Sequence, residues 1–200
     1  MLRAGVGPRL PVDARCPGCG GELRGCWWGY ERSVRLSRRI VRLRIARARC
    51  LGCGRTHALL PSFVVPRRLD AAPVIGTALE LAAAGRGHRP IAASLFLPAT
   101  TVRGWLRRAR LRAVLAAARL WRFAQELGAL APRSPPGERP LAAFLRAAGA
   151  SLEAAALRFG GAGLPDRFGL ALCLLGEGLL GAQGLALGGH AGGGEDRRDR

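Results

Sequence analysis

Apolar and basic positions alternate along part of the first quarter of the chain. The pattern is found in "SVRL" at Ser33–Leu36 and in "VRLRIARAR" at Val41–Arg49. A period of two residues indicates strands with one buried face. Val41, Leu43 and Ile45 would then face one side, and Arg42 and Arg44 the other. We therefore predict a hairpin or a three-stranded sheet with a cationic outer surface.

Past the extended segment "LLPSFVVPRRLD", the apolar positions follow a helical period instead. We predict helices from about Pro73 to Ala84, from about Pro90 to Leu95, and from about Ala99 to Ala109 with a basic continuation. The second and third fit a helix-turn-helix. The residues expected to be buried there are Ile91, Ala92, Leu95, Val102, Trp105 and Leu106.

Phe96 stands at the turn of this predicted helix-turn-helix, where positive φ usually favours glycine. A longer or differently shaped turn would accommodate a phenylalanine. We therefore expect the three-helix unit to form with an altered turn.

The last third predicts more helix, over Arg110–Leu130, Leu141–Phe159 and Asp166–Leu180, with a linker at Ala131–Pro140. We expect these helices to pack on the domain or to form a homodimer interface. A membrane span over Phe168–Gly189 is disfavoured, because it would bury Glu177.

Two Cys-x-x-Cys pairs supply the clearest candidate chemistry: "RCPGCG" at Arg15–Gly20 and "RCLGCG" at Arg49–Gly54. Two residues between thiols allow both sulfurs to reach one metal, and a following glycine permits positive φ. Four thiolates close a tetrahedral set for structural Zn²⁺, with Cys16, Cys19, Cys50 and Cys53 as ligands. A redox motif is the alternative, but it needs one pair at the start of a helix. Cys26 and His57 are competing ligands.

The predicted fold class is therefore mainly α with a small β zinc ribbon. We place the zinc ribbon at residues 12–66, the helix-turn-helix at 70–112, a helical packing or dimerisation segment at 113–185 and a disordered tail at 186–200.

The distribution of charge along the chain indicates which class of molecule the protein binds. All 32 basic residues are arginine, against 13 acidic ones, for a net charge of +19. Residues 1–70 carry +11 and residues 71–125 carry +8, whereas residues 126–200 are neutral. This asymmetry indicates a polyanion bound by the first two thirds of the chain. No secretory signal is evident, so we expect a cytoplasmic, nucleoid-associated protein.

The predicted duplex contacts lie on the exposed face of the third helix and on the ribbon. Side chains there can meet phosphates or guanine edges in a major groove. The candidates are Thr100, Thr101, Arg103, Arg107, Arg108, Arg42, Arg44 and Arg89. A bundle that only packs or dimerises is the alternative. We expect Trp27, Trp28 and Tyr30 to cover the small core of the ribbon, with base stacking as the other option.

The segment "RARCLGCGRTHALLPSFVVPRR", with "RCPGCG" before it and "GHRPIAASLFLPATTVRGWLRR" after it, resembles the N-terminal region of bacterial insertion-sequence transposases. It resembles still more an uncharacterised family of short zinc-ribbon plus helix-turn-helix proteins from high-GC bacteria. The resemblance covers about Arg15–Arg112. It implies that the four cysteines bind zinc and that Ala99–Arg108 is a recognition helix for terminal DNA. The transposases' catalytic carboxylates do not carry over.

The sequence thus predicts a non-catalytic protein that binds double-stranded DNA, either a transcription regulator or a transposase-like accessory factor. It predicts no small-molecule substrate. The alternatives are an RNA-binding zinc-ribbon protein and the remnant of a transposase without its catalytic domain.

Overall fold

The sheet near the N-terminus has three antiparallel strands in the order β1-β2-β3. A computed structural model describes residues 8–10, 14–130 and 135–175. The strands are β1 (Leu23–Leu36), β2 (Arg39–Cys50) and β3 (Thr56–Leu59). Both predicted strand segments are confirmed, and each lies within a longer strand. The predicted faces of β2 are also confirmed, since Ile45 is buried while Arg42 and Arg44 are exposed.

Two irregularities break the ladder between β1 and β2. Pairing runs from Leu23 opposite Cys50 to Leu36 opposite Arg39, with register shifts between Arg24 and Cys26 and between Trp28 and Glu31. Such bulges bend a strand and increase its twist. The period-two pattern of β1 is therefore interrupted where its aromatic residues lie.

Five helices follow the sheet in the described chain: α1 (Ala72–Ala83), α2 (His88–Leu95), α3 (Ala99–Glu126), α4 (Pro140–Phe159) and α5 (Arg167–Leu175). The coarse prediction of a mainly helical chain with a small sheet is confirmed. The predicted third helix and its basic continuation form one helix of 28 residues, because this segment contains no proline and Gly104 is its only glycine. The end of the predicted Asp166–Leu180 helix, part of the linker and the C-terminal tail lie outside the described residues.

The main hydrophobic core lies between the helices. Trp105 of α3, Phe144 of α4 and Phe168 of α5 are among its largest fully buried side chains. The rings of Phe144 and Phe168 meet edge to face at 6.3 Å. Ser151, buried in α4, donates a hydrogen bond to the carbonyl of Leu120 in α3 at 2.9 Å. The C-terminal helices therefore pack on α3 and stabilise this long helix.

The far end of the β1–β2 hairpin belongs to this same core. Val34 is 1% exposed and packs within the helical cluster. Nε of Arg35 donates to Oδ1 of the buried Asp70 at 2.6 Å, just before α1 begins. Arg32 donates to the carbonyls of Val65 and Arg68. The hairpin is thereby fixed against the helices instead of projecting freely.

The turn between α2 and α3 is short. Phe96 takes the left-handed conformation itself, with φ 56° and ψ 45°. The N–H of Leu97 donates to the carbonyl of Ala92 and that of Phe96 to Ala93, which is the Schellman pattern of helix ends. The expectation of a longer or differently shaped turn is wrong, because phenylalanine occupies the conformation that glycine usually supplies.

Among the described helices, α4 is long and apolar enough to cross a bilayer by length and composition alone. Seven of its residues are nevertheless buried inside the fold, including Phe144 and Ser151. One side of α4 is therefore covered by protein, while Leu157 and Phe159 near its C-terminal end are exposed.

Candidate metal centre and basic surface

Four cysteine sulfurs converge at the end of the sheet away from the helices. The Sγ atoms of Cys16, Cys19, Cys50 and Cys53 all lie within 4.8 Å of one another. Cys19 and Cys50 are 3.4 Å apart, and Cys16 and Cys53 are 3.7 Å apart. In a tetrahedral Zn–S₄ site with bonds of about 2.3 Å, sulfurs are separated by about 3.8 Å. The four predicted ligands are therefore brought together at a spacing that fits a metal ion such as zinc.

Tight turns hold each cysteine pair. The N–H of Gly20 donates to the carbonyl of Cys16 at 2.8 Å, and the N–H of Gly54 to that of Cys50 at 3.1 Å. Both glycines have positive φ, 70° and 69°, as their place in the sequence predicted. The two turns have matching geometry, so the repeated sequence pattern is also a structural repeat.

Two further glycines, Gly21 and Gly52, lie next to the sulfurs. A Cβ on Gly21 would lie 3.1 Å from Sγ of Cys50 and 3.3 Å from Sγ of Cys19. A Cβ on Gly52 would lie at ordinary contact distances, 3.8 Å from Sγ of Cys50 and 3.6 Å from Sγ of Cys19. At Gly21 the backbone therefore lies so close to the cluster that an added Cβ would require the sulfurs to move by a few tenths of an ångström.

The thiols share too little space to ionise independently. The N–H of Cys53, which donates to Sγ of Cys50 at 3.4 Å, lowers the pKa of Cys50 to about 6. For Cys19 the N–H of Gly21 lowers the pKa, but the other three sulfurs outweigh it and raise the pKa to about 12. The raised pKa of Cys19 disfavours its thiolate at neutral pH, so a bound cation would be needed for Cys19 to act as a thiolate ligand.

His57 and Cys26, the two competing ligands, occupy different positions. Nε2 of His57, on β3, lies 3.2 Å from Sγ of Cys16. His57 is not part of the mutually close group, so it contacts one ligand instead of completing the set. Its place corresponds to an outer hydrogen-bond partner that orients a metal ligand. Cys26 is half-buried on β1 and also lies outside the group.

The aromatic residues of β1 do not cover the core of the ribbon. Trp27, Trp28 and Tyr30 are 42%, 39% and 47% exposed. The small cluster beneath the sheet is built instead from cysteine and aliphatic side chains: Cys16, Leu23, Ala48 and Cys50, with Leu10, Ala14 and Leu59 against it. The three rings are not among the side chains that form or pack against this cluster, contrary to the expectation that they cover it.

Most of the predicted duplex contacts lie on the surface. Arg103, Arg107 and Thr100 are exposed on α3, and Arg89 is exposed on α2. Thr101 and Arg108 are half-buried. Of the residues expected to be buried behind this face, Leu95 is only half-buried. The others are confirmed as buried: Ile91, Ala92, Val102, Trp105 and Leu106. α3 thus has a buried apolar side and an exposed basic side.

Arg108 lies in a cluster of arginines. Burial, followed by the charges of Arg68, Arg107 and Arg112, lowers its pKa. Its guanidinium lies over Gly104, where a Cβ would be 3.3 Å from one terminal nitrogen. Arg68 was not among the predicted residues, because its proximity depends on how the loop before α1 folds. Arg112 was also missed, although it lies one turn after Arg108 on the same helix and its spacing could have indicated it.

A groove of about 500 Å³ opens beside the exposed arginines of α3. It is lined at one side by the start of α2 and at the other by α3, through Gly87, His88, Arg103, Leu106, Arg107, Arg110 and Leu111. The three arginines give it a positive charge that suits an anionic ligand.

The hairpin tip contacts the α2–α3 turn. The guanidinium carbon of Arg38 lies 4.2 Å from the centroid of the Phe96 ring. Sequence patterns gave no signal for this pair, which is 58 positions apart in the chain. The contact brings Arg38 to the turn that precedes the helix carrying Arg103 and Arg107.

The model of one protein family matches the chain over residues 16–105, and the family is described as a domain of unknown function, DUF6431. The matched segment starts at the first cysteine of the cluster and ends at the buried Trp105 of α3. It therefore takes in the sheet, the four cysteines, α1, α2 and the exposed start of α3. Comparison with curated proteins and with solved structures gave no match.

Proposed function

We propose that this protein binds double-stranded DNA and is not itself a catalyst. In this proposal, α2 and α3 act as a helix-turn-helix and the start of α3 enters the major groove. Thr100, Arg103 and Arg107 are the residues placed to reach base edges or phosphates there. The cysteine cluster binds structural zinc and the sheet acts as a zinc ribbon.

One observation carries the proposal. A tight turn at Phe96 joins α2 to α3. At the start of α3, Arg103, Arg107 and Arg110 are exposed, whereas the apolar side is buried through Val102, Trp105 and Leu106. Glu80 is the only acidic residue in residues 71–125, against nine arginines. It pairs with Arg167 of α5. A basic helix face with no competing acid suits a phosphate backbone.

The ribbon extends the same footprint. Arg42 and Arg44 are exposed on β2, and Arg38 is stacked on Phe96 at the hairpin tip. Because the hairpin is packed into the helical core, its arginines keep a fixed position relative to α3. We infer that ribbon arginines contact phosphates flanking the site that α3 reads.

The resemblance to the DNA-binding region of insertion-sequence transposases supports the same function. It favours a transcription regulator or an element-encoded accessory factor acting at the nucleoid. Self-association through the C-terminal helices stays a prediction. An RNA-binding role and a transposase remnant are the competing readings.

The test compares two pairs of substitutions that remove the same charge. Arg103→Ala/Arg107→Ala removes the proposed duplex contacts, whereas Arg122→Ala/Arg158→Ala removes exposed arginines farther along α3 and on α4. We expect the first pair to weaken binding to a 30-base-pair duplex at least tenfold and to lower the log–log salt slope by about 2. The second pair should have a smaller effect on both.

Equal losses from both pairs would mean that net charge alone attracts DNA, and the helix-turn-helix reading would be wrong. Tight binding to a structured RNA, with none to the DNA duplex, would favour the RNA-binding alternative.

A further inference from the structure

The groove between the start of α2 and the exposed arginines of α3, the α2–α3 groove, has the size of a small-ligand site. Its volume of about 500 Å³ lies within the range of about 300–1,000 Å³ that is typical of such sites. Leu106 belongs both to its lining and to the helical core and is 3% exposed, so the packing of the fold holds this part of the groove in place. Contact between a duplex and the outer ends of the α3 side chains does not by itself require such a depression.

Three arginines line the α3 side of the groove in a single stripe. Arg103, Arg107 and Arg110 are spaced by four and three residues along the helix. At 100° and 1.5 Å per residue, they lie within about 60° of one another around the helix axis and over about 10 Å along it. All three are exposed, and in the described chain none forms an ion pair with a carboxylate. Their guanidinium groups are therefore available to a ligand.

The charge of this stripe is not balanced inside the groove. The lining residues on the α2 side are Gly87 and His88, and no acidic residue of the described chain is part of the lining. Glu80, the one acidic residue in 71–125, forms an ion pair with Arg167 of α5 instead. Three positive charges close together in a concave site favour a ligand that carries several negative charges.

We propose that the α2–α3 groove binds the phosphoanhydride group of a small molecule, either pyrophosphate or a nucleoside diphosphate, and that this ligand competes with duplex DNA for Arg103 and Arg107. Guanidinium groups bind phosphate oxygens through paired, charge-assisted hydrogen bonds. Two linked phosphoryl groups offer more oxygens to a stripe of three arginines than one duplex phosphate does. The competition rests on the proposed function, whereas binding of the ligand does not.

Calorimetric titration of the full, zinc-loaded chain with pyrophosphate in the absence of DNA tests the ligand site. Sulfate at equal ionic strength is the control for charge screening. We expect one pyrophosphate per chain, bound roughly tenfold or more tighter than sulfate. Because pyrophosphate also binds metal ions, zinc content is measured before and after the titration and should not change.

The source of the phosphoanhydride is identified by titrating ADP and AMP in the same way. Tighter binding of ADP than of pyrophosphate would show that the groove also holds the nucleoside. Tighter binding of pyrophosphate would identify the free anion as the ligand. AMP has no phosphoanhydride and should bind weakly in either case.

Arg110→Ala is the test variant, because Arg110 lines the groove but is not among the proposed duplex contacts. Its matched control is Arg122→Ala, which removes an exposed arginine farther along α3. We expect pyrophosphate affinity to fall about tenfold in the first variant and less than about twofold in the second. Arg110→Lys keeps the charge but loses the planar guanidinium, so it should retain only part of the binding.

Competition is measured as displacement of a labelled 30-base-pair duplex from the wild-type protein. We expect pyrophosphate to displace the duplex at concentrations where sulfate of equal ionic strength does not. Displacement from the Arg110→Ala variant should need about tenfold more pyrophosphate, in line with its weaker binding.

Pyrophosphate that binds no tighter than sulfate, or that binds the Arg110→Ala and Arg122→Ala variants equally well, would overturn the ligand site. Pyrophosphate and duplex bound at the same time would overturn the competition. Tight binding of pyrophosphate by a wild-type protein that binds no duplex would support the ligand site and reject the proposed function, so the two failures are distinguishable.

Discussion

The guanidinium carbon of Arg38 lies 4.2 Å from the centroid of the Phe96 ring, which joins the hairpin tip to the α2–α3 turn. Phe96 is 59% exposed and has positive φ, a conformation that costs a phenylalanine of order 1 kcal/mol. A cation–π contact at such a site contributes about 0.5–1 kcal/mol. The stack therefore offsets part of the backbone cost while it holds two basic surfaces together.

A double-mutant cycle on this pair tests the coupling. Arg38→Ala, Phe96→Leu and the double variant should show an interaction free energy of about 0.5–1 kcal/mol in chemical denaturation. Leucine keeps a side chain at the left-handed position, so the backbone cost is largely retained. Strictly additive effects would show that the stack contributes nothing to stability.

Metal content gives a direct prediction for the cysteine cluster. We expect one zinc ion per chain. His57 contacts the ligand Cys16 from outside the cysteine group, so His57→Ala should weaken zinc affinity by about 10–100-fold. Cys50→Ser should remove bound zinc, whereas Cys26→Ser should keep it, because Cys26 lies outside the group. Elemental analysis measures the bound zinc of each variant, and thiol titration measures its free cysteines. Four reactive thiols in purified wild-type protein would contradict the zinc assignment.

Two glycines near the sulfurs should behave differently when a methyl group is added. Gly21→Ala places a Cβ 3.1 Å from Sγ of Cys50, so the cluster must shift and zinc affinity should fall. Gly52→Ala meets the same sulfurs only at ordinary contact distance and should bind zinc much as wild type does. Competition with a colorimetric chelator measures both. Equal affinity of the two variants would contradict the close approach of Gly21 to the sulfurs.

The buried ion pair that fixes the hairpin should matter for stability. Asp70 is 4% exposed and accepts a hydrogen bond from Arg35 at 2.6 Å. Removing one partner of a buried pair typically costs 3–5 kcal/mol, and we expect about 3 kcal/mol for Asp70→Ala because Arg35 keeps some contact with water. Urea unfolding measures this. A loss below about 1 kcal/mol would show that the hairpin is held by Val34 and its neighbours alone.

The parts of this structure that follow local rules could be predicted from the sequence. The cysteine turns follow from two-residue spacing and a glycine, and α1 to α3 from the helical period of their apolar residues. The exposure of Trp27, Trp28 and Tyr30 was not predicted, because the sequence alone does not show which side chains fill the small cluster beneath the sheet. The left-handed Phe96 was also missed, since residue preference at that turn argues against it and its stabilising partner, Arg38, is distant in the chain.

The central claim, that the zinc ribbon and the helices form one DNA-binding surface, is tested most directly by duplex binding over a salt series with and without a strong zinc chelator. We predict a steep fall of affinity with salt, about 0.9 in log–log slope per phosphate neutralised. The slope should become shallower after chelation as the ribbon arginines lose their fixed positions. Weak binding that is insensitive to salt, or a slope that chelation leaves unchanged, would contradict the claim.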